Sequence, residues 1–108
     1  MARVKLITAV IAPERLDPVA AALAKAEVYR MTVTECRGVV RAPDAAPPAP
    51  KVKLEIAVNE GFVAPTLAAI QAAGRLDENE GSGFGKIFVT ELLDVVRIRT
   101  GERGPDAI

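Results

Sequence analysis

Histidine and tryptophan are absent from this 108-residue sequence, and cysteine occurs only once, at Cys36. Without histidine, the chain lacks the commonest general base and the commonest metal ligand among side chains. A single cysteine cannot form an internal disulfide bond, which fits the reducing environment of the cytoplasm. Histidine-dependent hydrolase triads and zinc sites therefore explain the chain poorly, and we expect neither catalytic residues nor a metal site.

Neither sign of charge is in excess, since 14 basic side chains balance 14 acidic ones. A general nucleic-acid binder would normally carry a basic excess, so we expect no nucleic-acid partner. The sequence has no apolar run of about 18 residues, which argues against a membrane-embedded protein. It also begins without the apolar region and small-residue cleavage site of a signal peptide, so we expect a cytoplasmic location.

Aromatic residues are scarce, at 4% of the chain, whereas hydrophobic residues in total make up 50%. A chain of this length can bury a substantial core as one domain, which we take to span residues 1–108. Because aromatic side chains are so few, this core must be mainly aliphatic.

Hydrophobic periodicity predicts alternating strands and helices along the chain. Alternation of apolar and polar residues predicts strands, and apolar residues three and four positions apart predict helices. The predicted strands span residues 3–11, 28–40, 51–58 and a stretch after Gly85, and the predicted helices span residues 16–26 and 62–74. This β-α-β-β-α-β order is that of the ferredoxin-like fold, an α+β architecture with an antiparallel sheet. Residues 95–100 are predicted to add an extra C-terminal strand.

A glycine-rich turn followed by basic side chains is the most suggestive feature for function. Three glycines alternate across residues 81–85, immediately ahead of Lys86. Such a turn lets successive backbone N–H groups face one anion. Arg97 and Arg99 also alternate, so a strand would project both guanidinium groups from one face. The pattern fits a polyphosphate site, for example for a nucleotide, but a flexible turn followed by a solvated strand face remains the alternative.

Five short motifs, in order, resemble the PII signal-transduction protein family. They are RLDPV at 15–19, MTVTE at 31–35 with Gly38, PKVKLEI at 50–56, GKIFV at 85–89 and VRIRTGE at 96–102. The resemblance covers nearly the whole chain outside two loops, and it identifies a divergent, PII-like member with a shortened T-loop. It implies a homotrimer with adenine-nucleotide sites between subunits, at which ATP competes with ADP or AMP and alters partner binding.

The resemblance also implies roles for particular residues on the phosphate side of such a site. Lys86, Arg97 and Arg99 match the family's phosphate-binding cations, and Gly83 and Gly85 match the backbone donors of its B-loop. Arginine forks suit phosphate oxygens, and glycine amides add donors without a side chain in the way.

Further matches fall on the nucleoside side and at the base of the T-loop. Thr32 and Gly38 match residues that line the adenine and ribose, with Val10 and Val58 as apolar walls. Arg41 matches an arginine that can approach the terminal phosphate. These roles follow from the resemblance alone.

The T-loop is where the sequence departs most from the family. It is reduced to residues 41–50, which include four prolines and predict a stiff, exposed connector. Ala42 replaces the family glutamine that helps to hold magnesium, so ADP or AMP is favoured over Mg-ATP. The only tyrosine is Tyr29, outside the loop, which excludes uridylylation there. Lys51 keeps a family lysine and is a candidate for binding a small anion such as bicarbonate.

The predicted function is a regulator, with no covalent cofactor. It would control an unidentified membrane transporter or an enzyme of nitrogen or carbon metabolism through nucleotide-dependent ordering of residues 41–50 and of the tail, residues 101–108. The alternative is a small acylphosphatase-like or mutase-like enzyme that uses the lysine and arginine cluster on a phosphorylated substrate. That alternative requires a positioned nucleophile, and the sequence offers no convincing candidate.

Overall fold

The structure is a computed structural model that describes residues 3–45, 47–75 and 85–108. Four strands and two helices follow one another in the order β-α-β-β-α-β. They are β1 (Val4–Ile11), α1 (Leu16–Lys25), β2 (Thr32–Gly38), β3 (Ala49–Asn59), α2 (Val63–Gly74) and β4 (Ile87–Leu92). Single 3-10 turns precede both helices, at Pro13–Arg15 and Glu60–Phe62, and a third, Gly104–Ala107, lies near the end of the chain.

The strands form one antiparallel sheet in the order β2-β3-β1-β4. Strands β1 and β2 are parallel to each other with β3 between them, and each helix connects two non-adjacent strands. This is the ferredoxin-like arrangement that the sequence predicts. Within the described residues, no helix is long and apolar enough to cross a lipid bilayer.

The core lies between the two helices and one face of the sheet. Alternate residues of β1, Ile7, Ala9 and Ile11, point to this side and are buried. Their cross-strand partners on β3, Ile56, Leu54 and Val52, are buried with them. From α1, Val19 and Leu23 contribute side chains four positions apart, which is the spacing that keeps both on one face of a helix. The predicted aliphatic core is confirmed.

The connection from α1 to β2 explains why the second strand begins later than the sequence predicts. Glu27 adopts a positive φ of 63°, and its N–H donates to the carbonyl of Ala24. The N–H of Val28 donates to the carbonyl of Leu23, which completes a Schellman ending of the helix. Residues 28–31 are used in this reversal, so β2 starts at Thr32.

The β2–β3 hairpin extends beyond the rest of the sheet. Pairing of β1 with β3 ends at Val52, whereas β2 continues to pair as far as Gly38 with Ala49. Pro50 therefore belongs to β3, at a position where only one neighbouring strand is present, as proline requires. The hairpin contributes to an elongated molecule of 49 × 27 × 23 Å.

The predicted extra strand at residues 95–100 is wrong. The segment folds back on itself, with a single bridge between Val96 and Arg103. Gly101, at a φ of 75°, makes the reversal, and its N–H donates to the carbonyl of Arg97. We call residues 95–103 the C-terminal hairpin. The turn forms because these local hydrogen bonds satisfy backbone N–H and C=O groups that would otherwise need a neighbouring strand.

Replacement of Leu54 by alanine tests the core. Leu54 is completely buried at the centre of β3, so we expect the Leu54→Ala change to lower the free energy of unfolding by about 2–5 kcal/mol. Val39→Ala shortens a side chain that is 51% exposed just after β2, and we expect a loss below about 0.5 kcal/mol. Urea denaturation at matched protein concentrations measures both changes, and equal losses would contradict the assigned core.

Candidate functional site

One cleft forms where β1 ends and β4 begins. It has a volume of about 440 Å³ and contains Val10, Gly85 and Lys86, with Gln71 and Arg75 from the end of α2. We call it the Lys86 cleft. The opposed directions of β1 and β4 place the end of one strand beside the start of the other, which explains why residues 75 positions apart in sequence meet here.

Among the described residues, nothing in the fold of a single chain requires a glycine at position 85. A Cβ atom added at this position would have no described heavy atom within 4 Å, and its φ is not in the left-handed region. The conformational explanation for a glycine turn therefore does not apply to Gly85. Gly83, the other predicted backbone donor, lies outside the described residues, as do Phe84 and the acidic residues 77–80.

A second cleft, of about 540 Å³, lies at the opposite side of the sheet. It contains Thr32 and Val58, with Tyr29 and Phe62 among its apolar walls. Ala107 and Ile108, from the end of the described chain, also line it. We call it the Thr32 cleft. It combines a hydroxyl group with exposed apolar surface, which suits a flat heterocycle better than a purely ionic ligand.

The strand register separates these two clefts. Val58 pairs with Lys5, which is five residues from Val10 along β1, or about 17 Å at the usual rise of a strand. One row of paired residues runs across the whole sheet, with Thr32 at one edge and Phe88 at the other. Three interstrand spacings separate these two residues, a distance of about 14 Å. The structure therefore divides the predicted site residues between two places on one chain.

Arg97 and Arg99 both lie in the C-terminal hairpin, but their environments differ. Arg97 is partly buried, and its side chain donates to main-chain oxygens of Ala107 and Ile108. Those two residues line the Thr32 cleft, so Arg97 lies beside it. Arg99 is exposed in the turn, with no side-chain hydrogen bond inside the described part of the chain. Since no strand forms here, the expectation that both arginines share a strand face is wrong.

The remaining predicted residues lie on the β2–β3 hairpin. Gly38 is buried at the last pair of β2, and Arg41 is exposed in the loop that follows. Lys51 is 8% exposed and pairs across the strands with Cys36. These positions lie beyond the end of β1, on the same side as the Lys86 cleft.

Some residues that line the clefts carry no clear functional pattern in the sequence. Gln71 and Arg75 are spaced as ordinary polar residues at the end of α2, so their spacing indicates no ligand. Phe62 fits the predicted helix as a core residue, although it is 38% exposed. Asn59 also lines the Thr32 cleft, and its buried Oδ1 atom accepts no hydrogen bond. The sequence signal for Asn59 is limited to its position directly after a predicted alternating strand.

The side chains of the clefts do not form an obvious catalytic or metal-binding group. Across the described ranges, no three His, Cys, Asp or Glu side chains are arranged to hold a metal ion. Shifts in pKa are instead found at ion pairs on the surface. The pKa of Glu91 is lowered because its carboxylate accepts a hydrogen bond of 2.8 Å from Lys5.

An ion pair between Asp94 and Arg103 closes the C-terminal hairpin. The guanidinium of Arg103 donates to the carboxylate of Asp94. This hydrogen bond lowers the pKa of Asp94 below its ordinary value of 3.8 and raises the pKa of Arg103. The Val95 N–H also donates to Asp94, at 2.9 Å. Both contacts hold together the segment that carries the two candidate arginines.

Comparison with known proteins gives one consistent result. The protein-family model "Nitrogen regulatory protein P-II" matches residues 4–102. Nitrogen regulatory protein GlnK1 of Methanosarcina mazei is 42% identical over 118 residues, covering 100% of both chains. Nitrogen regulatory protein P-II of Azospirillum brasilense is 41% identical over 117 residues, covering 96% of this chain and 99% of the relative.

A solved structure agrees with this result. The crystal structure of Arabidopsis thaliana PII bound to citrate superposes with a TM-score of 0.83 at 36% identity, covering 99% of this chain and 94% of that one. The 118-position alignment with the Methanosarcina protein exceeds the length of this chain, so at least ten of its positions have no residue here. Those gaps are consistent with a shortened loop.

The Asp94–Arg103 ion pair gives a dependence on pH. Because the pKa of Asp94 is lowered in the folded chain, its stabilising contribution is present above the unfolded pKa and is lost as the pH falls through the folded pKa. In a carboxyl-carbon NMR titration, we expect an Asp94 midpoint below 3.8. Arg103→Gln should raise that midpoint, whereas Lys5→Gln should raise the midpoint of Glu91 instead. An Asp94 midpoint that ignores the loss of Arg103 would contradict the assigned cause.

Proposed function

This chain belongs to the P-II family of nitrogen regulatory proteins, and on that basis we propose that it binds adenine nucleotides between the subunits of a homotrimer. Its named relatives are regulatory proteins, and we infer signalling and not catalysis. The alternative of an acylphosphatase-like or mutase-like enzyme is set aside for this reason.

The observation that carries the proposal is the division of the candidate site between the two clefts. The Lys86 cleft offers an ammonium group and a glycine amide, which suit a phosphate. The Thr32 cleft offers a hydroxyl group and apolar walls, which suit a base. About 14 Å or more separates the two clefts across one sheet. A nucleotide site would therefore be completed by two copies of the chain, with the Thr32 cleft of one copy against the Lys86 cleft of the other.

Apolar surface on the single chain supports such an assembly. Large side chains are exposed on β4, on the C-terminal hairpin and between them, namely Phe88, Val89, Leu93, Val96 and Ile98. Leu93 and Ile98 are almost completely accessible, which is costly for neighbouring aliphatic residues unless another surface covers them. A closed ring of three copies would bury this surface and place each Lys86 cleft against a neighbour.

The Gly85 environment supports a ligand at the Lys86 cleft. The described part of the fold gives no reason for a missing side chain at this position, whereas close approach of a phosphate to the backbone would give one. The relative from Arabidopsis thaliana is bound to citrate, which is also a compact polyanion. Since Ala42 stands in place of the family's magnesium-holding glutamine, we favour ADP or AMP over Mg-ATP. Lys51 is a candidate site for bicarbonate as a second signal.

Control of a partner would act through the segments next to the clefts. The loop after Gly38 carries Arg41, and the tail contacts Arg97, so a bound nucleotide could order the loop and change the position of the tail. The partner would be a transporter or an enzyme of nitrogen or carbon metabolism, met in the cytoplasm. Selection among partners would depend on the short proline-rich loop.

Calorimetric titration with AMP, ADP and ATP tests the nucleotide site directly. We expect Arg99→Ala to weaken binding by about 1.5–3 kcal/mol, the range for a hydrogen bond to a charged group. Lys25→Ala removes one positive charge from the exposed end of α1, away from both clefts, and should leave the affinity unchanged. If no nucleotide binds at any concentration tested, the proposed ligand class is wrong. If a nucleotide binds, repeating its titration with magnesium or with bicarbonate identifies the second signal as the ion that changes the affinity.

Mixed trimers test whether two chains share each site. Lys86→Ala damages the Lys86 cleft, and Arg97→Ala damages the side that carries the Thr32 cleft, so neither variant should bind nucleotide alone. When the two are co-expressed in equal amounts, about one quarter of the sites should combine two intact halves and recover binding. Sedimentation should show about three times the 11.4 kDa chain mass. Recovery of no sites in confirmed mixed trimers would place both side chains on the same subunit's site.

A further inference from the structure

The last described residues fold back against the Thr32 cleft. Residues 104–108, which we call the strap, include the 3-10 turn Gly104–Ala107. The Asn59 side chain donates to the carbonyl of Pro105 at 3.3 Å, and the Gly104 N–H donates to the carbonyl of Val95 at 2.9 Å. Ala107 and Ile108 then line the cleft itself. The strap is therefore held at both of its ends beside a proposed ligand site.

Arg97 makes the other contacts that hold the strap. Its Nε atom donates to the main-chain oxygen of Ala107 at 3.3 Å, and one Nη atom donates to that of Ile108 at 3.1 Å. Its other Nη atom lies 3.6 Å from a carboxylate oxygen of Glu102. All three guanidinium nitrogens thus face oxygens of the same chain. In the proposed site, where the Thr32 cleft meets the Lys86 cleft of a second copy, these donors would face the phosphate.

The strap is attached in a way that allows release. None of its residues belongs to the hydrophobic core. Gly101 and Gly104 both adopt positive φ, at 75° and 64°, and so mark two points at which the backbone can turn without a side-chain clash. The docked arrangement also leaves the Oδ1 atom of Asn59 buried without a hydrogen bond, which is a penalty that undocking would remove.

We propose that the strap competes with the anionic ligand for Arg97, so that nucleotide binding and strap docking exclude each other. This inference rests on the proposed nucleotide site. A phosphate group carries more than one negative charge and several acceptor oxygens, whereas the strap offers Arg97 only the neutral carbonyl of Ala107 and one main-chain oxygen of Ile108, so the ligand is the stronger occupant. Binding would then free residues 104–108 from the Thr32 cleft and change the surface beside it. By reciprocity, a partner that captures the free strap would raise nucleotide affinity by the same factor.

Two variants remove groups that compete for Arg97 without touching a proposed ligand donor. Deletion of residues 104–108 removes the strap, and Glu102→Gln removes the carboxylate that lies beside Arg97 outside the strap. We expect each to tighten ADP binding about two- to tenfold, the effect of losing one or two competing hydrogen bonds. Asp106→Asn is the matched control for Glu102→Gln, because it removes the same charge from an exposed strap side chain that forms no hydrogen bond or ion pair within the described residues. Its affinity should match that of the unaltered chain.

Hydrogen exchange of residues 104–108 reports on the strap itself. We expect ADP to increase exchange at the Gly104 and Ile108 amides, which donate to Val95 and Pro105 in the docked strap. Arg97→Ala should increase the same exchange without any ligand. Exchange that stays constant or slows on ADP binding would overturn the proposal.

The affinities separate failure of the strap from failure of the nucleotide site. Tighter binding after deletion, including binding that appears only after deletion, supports both proposals. Unchanged or weaker binding after deletion, with normal binding by the full chain, overturns the strap and leaves the nucleotide site intact. Absence of ADP binding by the full chain and by both variants overturns the nucleotide site and, with it, the competition.

Discussion

The position of β1 between β3 and β4 is the constraint on which the rest of the structure depends. Residues 4–9 of β1 have a fixed partner on both sides, so the register of three strands is set together. A slip by one residue would turn Ile7, Ala9 and Ile11 away from the helices and expose the core. The same register fixes where the two clefts can form, because Val10 lies near one end of β1 and the partner of Val58 near the other.

The distance set by this sheet has a consequence for regulation. If neither cleft alone offers the contacts for both a phosphate and a base, affinity depends on how two chains are placed against each other. Ligand binding and subunit packing are then thermodynamically linked, since a ligand that requires the assembled state stabilises it. A small rotation between subunits would change the distance from Lys86 to Thr32 without any change inside either chain. Such an arrangement couples a metabolite to a shape change using a rigid sheet.

The sequence predicts the sheet and helices well because their signals are local and repeated. Alternation along β1 and β3 marks which residues face the core, and that marking needs no knowledge of distant contacts. The extra strand fails for a physical reason that is also local. Gly101 permits a left-handed turn, and hydrogen bonds between Arg97 and residues 101–102 replace the pairing that an extended strand would seek.

The candidate site is less accessible to sequence reasoning, because its geometry depends on contacts between distant parts of the chain. Residue types alone point to Lys86 and the two arginines, and the resemblance supplies roles for Thr32 and Val58. Nothing in the pattern indicates that Arg97 faces carbonyl oxygens ten and eleven residues further along. Main-chain acceptors are carried by every residue, so a contact to them leaves no compositional signal.

The contacts of Arg97 also bear on how a neutral chain can bind a polyanion and release it again. A guanidinium group left free in an electropositive cleft would bind phosphate tightly. It would also release the phosphate slowly, because affinity differences are expressed mainly in the rate of dissociation. Main-chain oxygens that replace the ligand would satisfy the donors of Arg97 when the site is empty, and so would reduce the net gain on binding. Their effect would be graded, since the carbonyl of Ala107 is a weaker acceptor than a phosphate oxygen but is present at high effective concentration while the strap is docked. In the proposed competition, the strap would set the affinity to a moderate value and leave the chemistry of recognition with Arg97 itself.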